Sequence, residues 1–175
     1  MIRRALSLVL FLCVACQRVP DEAPPSDASE ASESRGQVQR YVFGTTEGEE
    51  LSAASMHGRI TVLVFVTTFD LASQVAAKRV NQVLHTHRPR INAGAVVLEA
   101  AKYAPLADVF KSSLELTYPV AIADLGTVER NSTLGEVRSV PTLIVLDAES
   151  REMVRKYGAF TVAELDDWLT RAERH

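Results

Sequence analysis

The chain has 175 residues, of which 47% are hydrophobic, and a formal net charge of −3. That is enough apolar material for one domain with a proper core, and too little length for two. The slightly acidic balance lacks the basic footprint of a nucleic-acid binder, so no nucleic-acid partner is expected.

The first sixteen residues, "MIRRALSLVLFLCVAC", begin with Arg3 and Arg4 and continue as an apolar run to Ala15. The run is too short to span a bilayer and reads as a secretory signal, residues 1–15. Its end, "LCVAC", resembles a bacterial lipobox, although Cys13 stands where leucine is usual. The resemblance implies removal of the signal before Cys16 and lipidation of that cysteine. Cys13 and Cys16 are the only cysteines of the chain. On this reading the mature protein has no free thiol and no internal disulfide. Residues 16–38 then form the lipidated cysteine and a Pro-, Ser-, Ala- and acid-rich linker with little to bury, expected to be disordered. The expected location is the cell envelope, facing the periplasm. Gln17 after Cys16 favours the outer membrane over the inner one.

The globular part is expected over 39–175. "YVFGTTEGEEL" reads as two short strands about a glycine turn. "TVLVFV" (61–66), continuous and rich in β-branched residues, predicts a strand buried on both faces. Helical spacing of Val75, Ala76, Val80, Val83 and Leu84 predicts a helix over about 71–87, ended by Pro89. "AGAVVLEA" (93–100) predicts the next strand and completes a βαβ unit. A second helix is expected over 104–116, a short strand at 118–123, and a short helix within "LGTVERNSTLGEV". "PTLIVLD" (141–147) and "EMVRKYG" (152–158) predict a hairpin. "TVAE" (161–164) is a capping box opening the last helix.

This order, with "SVPT" ahead of the hairpin, resembles the thioredoxin fold, an α/β class with a central mixed sheet flanked by helices. More narrowly, "GEELSAASMHGRITVLVF", "LTYPVAIAD", "SVPTLIVLD" and "YGAFTVAEL" are similar, in order, to segments of the membrane-anchored TlpA/ResA group of thiol-disulfide oxidoreductases. In that group the first central strand ends in Trp-Cys-x-x-Cys. Here "FVTTFDLAS" stands in that place, with Phe69 at the tryptophan position, Asp70 at the first cysteine and Ser73 at the second. The resemblance also implies a cis bond before Pro141. It implies, too, a groove in which Val140, Pro141 and Thr142 face the helix tip and the Val140 backbone pairs with an extended peptide.

Disulfide exchange needs a thiolate, stabilised at a helix N-terminus, and a second thiol to resolve the mixed disulfide. A carboxylate at 70 and a hydroxyl at 73 supply neither. Three readings of the pair remain open from the residues: helix capping by Asp70 with Ser73 in the first turn, a hydrogen-bonding ligand site at the tip, or a glutathione-activating serine. His85 and His87 are two apart and fall on different helix faces. Their place near a helix end is explained by the dipole, and no metal or other cofactor is expected. Asp166 and Asp167 read as a solvated face. The leading expectation is a redox-inactive, lipid-anchored module binding a periplasmic protein, a peptide or a small ligand through Phe69, Asp70, Ser73, Val140, Pro141 and Thr142, and not an enzyme. The alternative is a TlpA/ResA-type oxidoreductase with a non-standard site.

Overall fold

The computed structural model describes residues 36–128 and 132–174. The signal, Cys13, Cys16 and nearly all of the linker lie outside the described residues. Val38 already bridges to Arg151, so the chain joins the sheet one residue ahead of the expected boundary at 39.

The centre of the molecule is β3 (Ile60–Val66), all seven residues of which are buried. A strand without polar alternation requires cover on both faces, and it has it. On one side β3 pairs in parallel with β4 (Ile91–Val97); on the other it pairs antiparallel with β6 (Thr142–Leu146). The remaining strands are β1 (Val42–Thr45), β2 (Glu50–Ser52), β5 (Val120–Ile122) and β7 (Glu152–Tyr157). The seven form one mixed sheet in the order β2-β1-β5-β4-β3-β6-β7. The helices are α1 (Leu71–His87), α2 (Ala104–Ser113), α3 (Leu125–Val128) and α4 (Val162–Ala172). None of the helices among the described residues is long and apolar enough to cross a membrane.

Successive β3 side chains point to opposite faces, which creates two cores. Val62, Val64 and Val66 meet Ala76, Val80 and Val83 of α1, Phe110 of α2, and Leu165 and Leu169 of α4. Leu63 and Phe65 meet Phe43, Leu51, Ile144 and Leu146, covered by Leu134 and Val137. Helices therefore cover the first face, and the loop ahead of β6 helps to close the second. Leu51 lies directly on β4 at Gly94, where a Cβ would stand 2.6 Å from its Cδ1. A side chain at 94 would displace a fully buried leucine, which is why this strand carries a glycine.

The capping box at Thr161 forms in both directions, with Glu164 N–H donating to the Thr161 hydroxyl and Thr161 N–H to the Glu164 carboxylate. Two boundaries differ from expectation. The strand expected from 93 starts at Ile91, where pairing with Ile60 begins. The helix expected to reach 116 stops at Ser113, because Glu115 adopts φ +54°. One reading is corrected. Asp166 is not simply a solvated side chain: its carboxylate lies 2.8 Å from Nε2 of the buried His87, whose Nδ1 is 3.2 Å from Glu173. His87 thereby ties the end of α1 to α4, which is more than a dipole effect.

Candidate functional site

The junction of β3 and α1 is built by four hydrogen bonds that turn the chain sharply at the sheet's end. The Thr67 N–H donates to the Ser73 hydroxyl (3.2 Å), and the Ser73 N–H donates to Asp70 Oδ2 (2.8 Å). The Thr68 N–H and hydroxyl both donate to Glu99 Oε1, at 2.6 and 2.7 Å. Gln74 Nε2 adds a bond to the Thr68 carbonyl. With Thr67 and Thr68 held inward, Phe69 has nowhere to go but out, and it is 80% exposed.

Asp70 is the N-cap of α1, in extended conformation, as the capping reading requires. The Ser73 hydroxyl and N–H, together with the Ala72 N–H, hold its carboxyl below the usual carboxylate range. That capping contribution is present above the ordinary carboxylate pKa and is lost as pH falls through the lowered value. Ser73 is fully buried with its hydroxyl committed to Thr67, so it presents nothing to a ligand or to glutathione.

The second half of the expected groove arrives through β6. Phe65 pairs with Thr142, so the residues just beyond, Val66–Thr67 and Val140–Pro141, run side by side. The Val140–Pro141 bond is cis, as is Arg88–Pro89. The Pro141 carbonyl accepts from Gly158 N–H (2.7 Å). Thr142 is buried and its hydroxyl donates to the Ser139 carbonyl. Val140 is half-buried, and its backbone makes no hydrogen bond among the described residues. The structure thus brings the expected residues to one end of the sheet but divides them. Phe69, Asp70 and Val140 face outward, while Ser73, Pro141 and Thr142 form the support beneath. A cleft of about 320 Å³ lies on the α2 side of Phe69, lined by Thr68, Gln74, Leu106, Val109 and Phe110. No cluster of metal-ligating side chains occurs among the described residues.

Glu99, which fastens the turn from below, is the residue that sequence reasoning missed. Its signal was an acid closing the apolar run "AGAVVLEA". It is 8% exposed. Glu99→Ala should leave two Thr68 donors without an acceptor and cost about 1–3 kcal/mol. Urea denaturation would measure this, and an unchanged midpoint would mean that the turn holds without the carboxylate.

No family model matches the chain, and no curated protein matches it. Solved structures do. A thiol:disulfide interchange protein of the thioredoxin family from Chlorobium tepidum superposes with a TM-score of 0.64 at 20% identity, covering 79% of this chain and 96% of that one. The fold is thioredoxin-like. A DsbF homologue from Corynebacterium diphtheriae gives a TM-score of 0.68 at 19% identity, over 80% and 88% of the two chains. A secreted Mycobacterium tuberculosis disulfide oxidoreductase gives 0.61 at 18% identity, over 75% and 95%. On this thioredoxin-like scaffold the helix tip carries Asp70 and Ser73, and the described residues contain no cysteine.

Proposed function

We propose that this chain is a thioredoxin-fold binding module without disulfide-exchange activity, carried in a bacterial envelope on a lipidated Cys16. It holds an extended peptide or protein segment across Phe69 and Val140. The observation that carries this reading is the pairing of an 80% exposed Phe69 with the Val140 backbone, which no described residue hydrogen-bonds. An exposed aromatic ring supplies apolar contact area, and a backbone just ahead of β6, without a partner among the described residues, supplies main-chain pairing, the two elements of peptide capture by strand addition. Asp70 is an acceptor only and caps α1, so it offers no nucleophile for a disulfide. Secretion of a structural neighbour agrees with an envelope location.

Thiol-disulfide exchange is the second reading, favoured by what the structural neighbours are. It requires a thiol, and cysteine stands in this sequence only at positions 13 and 16. The full chain with dithiothreitol is expected not to accelerate insulin reduction. Turnover that vanishes in Cys13→Ser with Cys16→Ser would establish the second reading, and turnover that survives both changes would overturn the two together. For the binding reading, a photocrosslinking residue at 69 should yield envelope adducts that the same residue at the exposed Val42 does not. Equal labelling from both sites counts against the groove. Cys16→Ser should release the protein from membranes.

A further inference from the structure

The loop that presents Val140 is fastened to the sheet by one guanidinium. Arg155 and Glu152 lie on the edge strand β7, with side chains 5% and 1% exposed. They meet in a two-pronged pair, Nε to Oε1 at 2.9 Å and Nη2 to Oε2 at 2.6 Å. Two of the three donors left over also reach backbone carbonyls. Nη1 donates to the Glu136 carbonyl at 3.3 Å, and Nη2 also donates to the Leu134 carbonyl. The Tyr157 hydroxyl donates to the same Glu136 carbonyl. Between these two carbonyls the chain passes close over the guanidinium at Gly135, with φ +81°. The far end of the segment is tied as well, through Gly158 N–H to the Pro141 carbonyl. Residues 134–141 are therefore pinned to β7 at both ends, and Val140 lies within the pinned stretch.

We propose that Arg155 is a positioning residue for the groove: by capping the Leu134 and Glu136 carbonyls it fixes the backbone of Val140 for pairing with an extended peptide segment. The inference rests on the groove reading above. Its physical basis is preorganisation. A backbone donor and acceptor already held in place bind without the ordering cost that a loose loop incurs. An arginine suits the task because its planar fork can satisfy a carboxylate and two carbonyls at once, which a lysine ammonium cannot do in the same geometry.

The test separates positioning from simple support of the fold. Arg155→Met alone strands a buried carboxylate, so it is compared with Glu152→Leu/Arg155→Met, which removes both charges and can keep stability. Each is made in the full chain carrying Asp70→Cys and Ser73→Cys, where groove use is read as turnover. Insulin must lie along the groove, whereas dithiobis(nitrobenzoate) need only reach the thiol. In the charge-free pair, kcat/KM for insulin is expected to fall roughly tenfold to a hundredfold, with the rate toward dithiobis(nitrobenzoate) unchanged. Arg155→Lys should not rescue it. Equal rates on insulin in the charge-free pair and its cysteine-bearing parent overturn the positioning role alone. Insulin reduction absent from that parent overturns the groove reading, and the inference with it. In the chain without added cysteines, amide exchange at Gly135 and Gly158, whose N–H groups donate to the Ser132 and Pro141 carbonyls at the two ends of the segment, should accelerate in the charge-free pair while β3 and β4 keep their protection. Unaltered exchange there overturns the proposal independently of any turnover.

Discussion

Asp70→Cys with Ser73→Cys is expected to convert a protein that does not reduce insulin into one that does. The scaffold already supplies what the thiols would need. Position 70 is the N-cap of a 17-residue helix, with the Ser73 N–H 2.8 Å from the group that now occupies it. The same hydrogen bonds and helix end that lower the Asp70 pKa would stabilise a thiolate there. Position 73 is buried directly behind it, as suits a resolving thiol, and cysteine is close to serine in size. N-cap and third helical residue lie about 5–6 Å apart between Cα atoms, within the range that a disulfide spans. Exchanging the Asp70 cap for sulfur costs about 1 kcal/mol, which a domain of ordinary stability tolerates. Oxidation should remove two hydrogens by mass, and the reduced form should turn insulin over. A folded variant that forms no disulfide would contradict the geometry of the tip. One that forms the disulfide but leaves insulin untouched would contradict the groove beside it.

Much of this scaffold could be read from the sequence, and the reasons are local. β3 announces itself because seven consecutive residues, all apolar but Thr61, leave no solvent face, and α1 because its apolar side repeats at helical spacing between Asp70 and Pro89. The capping box at Thr161 is a four-residue signal and forms as read. Phe69, Asp70 and Ser73 sit at the strand-to-helix turn where their order places them. What could not be read depends on contacts across the fold. Burial of Ser73 follows from its bond to Thr67, and the role of Glu99 from a contact with Thr68 thirty-one residues away. The pairing of Asp166 with His87 requires α1 and α4 to be packed first. Glu152 and Arg155 were concealed for a different reason. In a regular strand, residues three apart point to opposite faces. Here Glu152 pairs with Leu146 but Val154 with Val145, a bulge that inserts one extra residue. The slip returns Arg155, opposite Ile144, to the same face as Glu152, under the loop it holds.

That buried pair supplies the largest expected loss of stability. Glu152→Ala would leave the Arg155 guanidinium desolvated with its carboxylate gone and only the two carbonyls to satisfy it. Breaking a buried pair from one side costs about 3–5 kcal/mol, because the surviving charge keeps its desolvation penalty without its partner. Removing both partners behaves differently: with Glu152→Leu and Arg155→Met together, the penalty disappears along with the attraction, and apolar packing against Ile144 and Leu146 takes their place. Stability should therefore fall steeply in Glu152→Ala and recover in the charge-free pair. Exposed pairs give the contrast. Arg171 and Asp167 on α4 have side chains 59% and 63% exposed, and Asp167→Ala should change stability by under about 1 kcal/mol. Guanidinium denaturation of the three variants would rank them. If Glu152→Ala were as mild as Asp167→Ala, β7 would be open enough for water to reach Arg155, and the guanidinium could not be what holds the Leu134–Glu136 carbonyls in place.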